Sequence, residues 1–152
     1  MSGARSVRPM QAGEEALWAT MRSRLWPDCG PEDNAQDLRQ LRDPTGALKI
    51  VLIAFVEELP VGFAEISERS VVAGAYDGPS GYLEGWYVAP EHRRRGFGSA
   101  LIAAAADWAR ESGYANLGSD VELENSGSQK AHEALGFEEQ GRVITYLMAL
   151  TP

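Results

Sequence analysis

The sequence predicts a mixed α/β fold: a mixed sheet with helices on both faces, in the order β-α-α-β-β-β-α-β-α-β, with a further strand possible at the end. Three observations predict it. Two β-branched apolar runs, residues 49–57 and 61–69, are joined only by Glu58-Leu59-Pro60, a connection short enough to make them an antiparallel pair. Two stretches with helical spacing precede them. After them an apolar run ends in a basic, glycine-punctuated turn, and an Ala-rich helical run begins.

Each element has a local reason. Residues 6–9 form a short first strand. Residues 14–25 carry Ala16, Leu17, Met21 and Leu25 at spacings that suit one helix face, and Pro27 and Gly30 end that helix. Residues 32–42 form a second, polar helix with Leu38 and Leu41 inward, and Asp43-Pro44-Thr45-Gly46 is a turn. The two apolar strands follow. Residues 73–81 hold three glycines and Pro79, which makes a loop. The next strand spans residues 82–88. A long helix over residues 96–112 uses Ala103 to Ala106 for close packing and closes at Gly113. A strand over 116–121 and a helix over 126–135, ending at Gly136, come next. Residues 138–150 are expected to supply the last one or two strands.

A chain of 152 residues fits a single domain, residues 1–152, with a real core. Hydrophobic content of 44% and charged content of 24% are ordinary for a globular protein. No stretch of about 20 apolar residues is present, so no membrane span is expected. The first residues lack an apolar signal core. Cys29 is the only cysteine, which excludes an internal disulfide framework, and two histidines beside it make no plausible zinc site. The expected compartment is the cytoplasm, with no metal. Fourteen Lys and Arg against 22 Asp and Glu give a net charge of −8, which disfavours nucleic acid and suits a cationic substrate.

The positive charge is concentrated. Val88-Ala89-Pro90-Glu91-His92-Arg93-Arg94-Arg95-Gly96-Phe97-Gly98-Ser99 joins the strand after the loop to the long helix. The first amides of a helix have no internal partner and carry partial positive charge, so they hold phosphate well. Gly96 and Gly98 let the backbone approach an anion, and the arginines add forked donors. A Rossmann loop fits less well, because Leu101 stands where a third glycine belongs and the arginines precede the glycines.

Arg93-x-x-Gly96-x-Gly98 resembles the acetyl-CoA pyrophosphate loop of the GCN5-related N-acetyltransferases. A second block, Asn125 followed by Ala131-His132-x-x-Leu135-Gly136-Phe137, resembles the last block of that superfamily, and the two together cover residues 50–140. A narrower likeness runs nearly the full length. Leu25-Trp26-Pro27-Asp28, Gly62-Phe63-Ala64-Glu65, Leu83-Glu84-Gly85-x-Tyr87-Val88 and Ser119-Asp120-x-x-Leu123-x-Asn125 look like aminoglycoside 6′-N-acetyltransferases. The resemblance implies the acetyltransferase fold, acetyl-CoA as cosubstrate, transfer to the 6′-amine of a polycationic antibiotic, and a homodimer. His132 stands where the superfamily usually has tyrosine. The loop over residues 70–81 lacks the Tyr-Val-Asn-Gly type of sequence that the family suggests there.

Acetyl transfer needs an amine without its extra proton, a polarised thioester, a stabilised thiolate and alignment of both substrates. By the resemblance, Trp86, Tyr87 and Val88 lie along the pantetheine arm, with an N–H near Tyr87 or Val88 for the thioester oxygen. Arg93, Arg94, Arg95, Gly96, Phe97, Gly98 and Ser99 surround the pyrophosphate, and Asn125 contacts the arm. Glu84 is the first candidate base, through a water; strand alternation puts it on one face with Trp86 and Val88. Asp120, at the end of the following strand, is the second carboxylate, and which is base and which is anchor stays open. His132 is a candidate acid for the thiolate or a contact to the cofactor, because histidine is the residue type that titrates nearest operating pH. Tyr146 is a weaker candidate, and His92 is read as a solvated loop residue. Trp26 and Asp28 pair an aromatic with an acid, which suits a cationic sugar. Asp33, Asp37, Glu65, Glu122 and Glu124 are possible extensions of an acidic wall, with a solvated face as the default for each. Cys29 has no base partner that would make it a nucleophile. Two alternatives remain open: an acetyltransferase for a polyamine or a protein amine, and a non-catalytic acyl-CoA-binding module.

Overall fold

The computed structural model describes residues 3–151. The elements run β1 (Arg5–Pro9), α1 (Glu15–Leu25), α2 (Pro31–Arg42), β2 (Leu48–Val56), β3 (Leu59–Arg69) and β4 (Ser80–Val88), then a 3-10 turn (Pro90–His92), α3 (Phe97–Glu111), β5 (Leu117–Ser119) and α4 (Ser126–Ala134). Among the described residues five strands form one sheet, in the order β1-β2-β3-β4-β5. The first four pair antiparallel in succession; β5 runs parallel to β4, as the crossover through α3 requires. The mixed sheet is therefore the expected one. The chain divides into two compact units, Met1–Asp120 with the sheet and α1 to α3, and Val121–Pro152 with α4.

The sheet of the first unit is covered on both sides. Val51, Ile53 and Phe55 of β2 join Phe63 and Tyr87 in one cluster with Trp18 and Met21 of α1, and Leu38 and Leu41 of α2 pack on its margin. Leu52 and Ala54 alternate to the other face. There α3 packs across β2, β3 and β4 with Leu101 and Ala105 fully buried. Small residues at Ala105 and Ala109 let the helix lie close to the strands. Pro31 at the first turn and the Asp33 carboxylate accepting the Gly30 amide at 2.9 Å start α2.

Two expectations change. The buried stripe of α1 is Trp18, Met21 and Arg22, while Leu17 is 37% exposed. Arg22 can face inward because β3 supplies Glu65, itself only 3% exposed. Arg22 Nε lies 2.9 Å from Glu65 Oε1, an ion pair rather than an aligned hydrogen bond. The Trp18 indole N–H donates to the same oxygen at 2.8 Å. Arg22 also donates to Asn34 Oδ1 at 3.0 Å and to Asp37 Oδ2 at 2.5 Å on α2. Glu65 is thus a buried ion-pair partner, not a solvated carboxylate. The second change is at the end of the chain, where no strand forms among the described residues after α4. A strand exists only as a paired ladder, and the apolar side chains there, from Val143 to Leu150, are 77–98% exposed.

Burial pushes the Glu65 carboxyl up from 4.5 to about 7, against the pull of Arg22 and the Trp18 N–H. A carboxyl raised in the folded state binds its proton more tightly there than in the unfolded chain. Its contribution to stability therefore falls as pH rises from 4.5 to about 7 and levels off above that. Arg22→Met removes the cation that lowers this group and strands a buried carboxylate. Urea unfolding at pH 8 should show a loss of about 3–5 kcal/mol. At pH 5 the loss should be clearly smaller, because the stranded carboxyl is protonated there. An equal loss at both pH values would sink this account.

Candidate functional site

The centre of the site is an irregularity in β4. In its ladder with β3, Glu65 pairs with Gly85 and Ile66 with Leu83, so Glu84 is an extra residue with no opposite number. Such a bulge twists the strand and re-aims the side chain it carries. Arg69, the last residue of β3, grips the Glu84 carboxylate with two parallel hydrogen bonds, Nε to Oε1 at 2.9 Å and Nη2 to Oε2 at 2.7 Å. The Ser67 hydroxyl donates to Oε1 at 2.5 Å. The Arg69 guanidinium also lies 3.7 Å from the centre of the Tyr82 ring. Tyr82 in turn donates its phenol to Asp120 Oδ2 at 2.6 Å. Burial and that acceptor push the Tyr82 phenol well above its ordinary value, so it remains a donor. The two candidate carboxylates are therefore joined through one arginine and one tyrosine.

Glu84 opens into a cleft of about 420 Å³ whose lining includes Trp26, Cys29, Asp33, Asp37, Glu65 and Ser67. Four of its lining residues are acidic and Arg22 is its one lining cation, so the cleft suits a cation. Trp26 stands edge-on to Phe63 with ring centres 6.2 Å apart, and the Arg22 guanidinium lies 5.3 Å from its ring. Gly85 makes this seat possible, since a Cβ there would come within 2.5 Å of the Trp26 ring. Asp28 is exposed and does not line the cleft, nor does Asp120. Glu122 and Glu124 are exposed. Burial raises the Cys29 thiol, which keeps it protonated and a poor nucleophile.

The basic turn leaves the same strand. Arg93 folds back and donates Nε to the Val88 carbonyl at 2.8 Å, so this arginine braces the strand end. Arg94 has φ 62 and Gly96 φ 89, and α3 starts at Phe97. The left-handed residue at Gly96 turns the chain sharply into the helix, a conformation that favours glycine. No carbonyl inside α3 can reach the amides of Phe97, Gly98 and Ser99, because they belong to its first turn. Phe97 is buried, anchoring that turn, with the Arg5 guanidinium 4.7 Å from its ring and hydrogen-bonded to the Arg95 carbonyl. Arg94, Arg95 and Ser99 are exposed, and Trp86 and Val88 are half-buried on alternate positions of β4 while Tyr87 is buried. His92 is not simply solvated: its Nδ1 is buried and its ring stands edge-on to Phe97 at 6.1 Å. This frame of free helix amides, a left-handed glycine and two outward arginines fits a pyrophosphate.

In the second unit Asn125 caps α4, its side chain accepting the Ser128 amide at 3.1 Å. His132 is 8% exposed, its ring 5.0 Å from Phe137. Its Nδ1 lies 2.7 Å from the Ser128 carbonyl. A carbonyl only accepts, so that nitrogen carries the proton, and in the neutral ring Nε2 carries the lone pair. Tyr146 is exposed.

Sequence reasoning passed over Arg69, Ser67 and Tyr82. Arg69 ended a strand and Tyr82 began one, with no local pattern to separate them from ordinary strand residues. Only a displaced register between β3 and β4 brings Ser67 and Arg69 onto Glu84, with Tyr82 beneath the arginine.

Residues 12–137 match the family model described as Acetyltransferase (GNAT) family. The aminoglycoside N(6′)-acetyltransferase type 1 of Stenotrophomonas maltophilia is 40% identical over 154 residues, covering 100% of this chain and 98% of that protein. The protein of the same name from Klebsiella aerogenes is 40% identical over 139 residues, covering 90% and 91%. A solved structure of AAC(6′)-Iy with the bisubstrate analogue CoA-S-monomethyl-acetylneamine matches with a TM-score of 0.89 and 35% identity, covering 97% of this chain and 99% of that one.

The Trp26 seat is directly testable. Gly85→Ala should destabilise by about 1–3 kcal/mol through overpacking. In a Trp26→Ala background the same change should cost much less, because the obstructing ring is gone. Additive losses in this double-mutant cycle would show that Gly85 serves something other than Trp26.

Proposed function

The chain belongs to the acetyltransferase (GNAT) family, and from that premise we propose that it transfers the acetyl group of acetyl-CoA to the 6′-amine of aminoglycoside antibiotics. The observation that carries the reading is the placement of Glu84. It sits on a bulge of β4, faces an acidic cleft lined in part by the Trp26 indole, and belongs to the strand that runs into the basic turn. The names of the relatives support the choice of amine, as does the bisubstrate complex of AAC(6′)-Iy. The match over residues 12–137 supports reading the chain as one acetyltransferase domain.

Acetyl-CoA supplies the activated acetyl group. The amides of Phe97, Gly98 and Ser99, with Arg94 and Arg95, hold its pyrophosphate, while Arg93 and Gly96 shape the turn. Backbone groups of Trp86, Tyr87 and Val88 align the pantetheine arm, and one N–H there polarises the thioester. Glu84 and Asp120 are the pair that binds the ammonium and takes its proton, Glu84 through a water. Trp26 packs on the sugar, and Asp28, outside the cleft lining, adds negative charge to the loop that carries Trp26. Asn125 and His132 are assigned to the cofactor by family likeness, with His132 or Tyr146 protonating the leaving thiolate. Acetylation removes one positive charge from the drug, which would make the enzyme a resistance determinant acting in the cytoplasm. With a net charge of −8, the protein suits a polycation and not nucleic acid.

A homodimer is part of this proposal. Ile144, Tyr146, Leu147, Met148 and Leu150 form an apolar run with little cover in the single chain. Contiguous exposed apolar surface marks an interface, and an extended apolar segment is suited to a second copy.

Two measurements test the reading. The first follows thiol release from acetyl-CoA with kanamycin, set against an aminoglycoside carrying a 6′-hydroxyl. Release should occur only with the 6′-amine, and Glu84→Gln should lower kcat by about 10²–10⁴ with the acetyl-CoA KM little changed. No release with kanamycin, or full activity in Glu84→Gln, contradicts the proposal. The second weighs the protein by light scattering. Twice the chain mass of 16.5 kDa is expected. Leu147→Asp, at a side chain 98% exposed in the single chain, should reduce the mass to one chain without loss of fold.

A further inference from the structure

Arg69 holds the carboxylate that the proposed mechanism turns toward the ammonium group and its bridging water. Its guanidinium donates to both oxygens of the Glu84 carboxylate, at 2.9 and 2.7 Å, and lies over the ring of the tyrosine bound to Asp120. A substrate amine approaching Glu84 therefore meets a carboxylate already neutralised by the protein. The Arg69 side chain is 43% exposed, so solvent can receive it when it leaves. Ser67 keeps its own hydrogen bond to Glu84, so the carboxylate stays oriented after the guanidinium goes.

We propose that Arg69 is a resident competitor of the acceptor amine, and that it sets the minimum charge a substrate must carry. The inference rests on the reading of Glu84 as the carboxylate that receives the amine. A substrate with one ammonium exchanges one ion pair for another at Glu84 and gains little. A polycation displaces Arg69 and also places a further ammonium group against Asp33, which lines the same cleft, whereas Asp37 there is already paired with Arg22. Selection for polycations then comes from a repulsive element, the guanidinium, as well as from the attractive acids. Arg69 acts here as a specificity residue, since the proton and the acetyl group pass through other groups.

The test compares two acceptors that present the same kind of primary amine. One is 6-amino-6-deoxyglucose, with one ammonium; the other is kanamycin, with several. In Arg69→Gln the ratio of kcat/KM for the monoamine to that for kanamycin should rise at least tenfold, through a lower KM for the monoamine. Arg69→Lys, which keeps the charge but loses the paired grip, should fall between. Methylguanidinium should inhibit Arg69→Gln competitively against the amine, and inhibit the unaltered enzyme far less, because it refills the vacated position. A fall in kcat on both acceptors with KM and their ratio unchanged would make Arg69 a brace for Glu84 and overturn the proposal. An unchanged ratio without methylguanidinium inhibition would overturn it as well. Thermal melting by circular dichroism shows whether either variant is folded, and the inhibition arm is read on whichever one is. Glu84→Gln separates the two layers of argument. If it is fully active the reading of Glu84 fails; if it is inactive while the Arg69 ratio stays put, only the competitor role fails.

Discussion

The buried meeting of Arg22 with Glu65 is the contact on which the cleft depends. One guanidinium reaches β3 through Glu65 and α2 through Asn34 and Asp37, and lies against the rings of Trp18 on its own helix and Trp26 just past that helix's end. Two helices and a strand thus share one charge. Burying an arginine and a carboxylate is expensive unless almost every polar atom finds a partner, and here the Trp18 indole, Asn34 and Asp37 supply partners. A purely apolar contact could hold α1 on the sheet equally well. It would not fix the azimuth of α1 so tightly, and that azimuth decides where Trp26 stands at the start of the cleft.

The same contact shows where the sequence was legible and where it was not. Helix and strand identities follow from local periodicity, and those of α1 to α4 and β1 to β5 could be read off before any tertiary contact was known. The glycine-punctuated basic turn ahead of α3 was legible too, because turn composition is local, although Gly96 was read as the first helical residue and stands as a left-handed N-cap instead. An arginine inside the helical stripe was not, since its burial depends on a carboxylate carried by another strand. The bulge at Glu84 was invisible for a related reason: register is a property of two strands and neither shows it alone. The strands expected near the end of the chain failed on the same ground. Their apolar run was present, and among the described residues a pairing strand was not.

Charge is arranged in two opposed fields around β4. Acids gather at the cleft beside Glu84, and arginines gather at the turn that follows Val88. Two arginines brace the strand between them, Arg69 on Glu84 and Arg93 on the Val88 carbonyl. Both hold the strand with forked or directed donors rather than with bulk. The bulge interrupts the ladder in the middle of the strand and the sharp turn follows its end, and these side chains add directed contacts at both places.

The hold of Arg5 on the Arg95 carbonyl carries a consequence for assembly. The two residues are separated by 90 positions in the chain. Closing a loop of that length costs roughly 4 kcal/mol from the (3/2)RT ln n relation alone. Such a contact cannot form early by itself; it becomes affordable only once β1 is zipped to β2 and the sheet has brought the two ends together. The Arg5 contact to the basic turn therefore closes after the sheet has formed, although the other residues of the turn lie within one short stretch. Any ligand that binds this turn is thermodynamically linked to the fraying of the first strand, and tightens the far edge of the sheet without touching it.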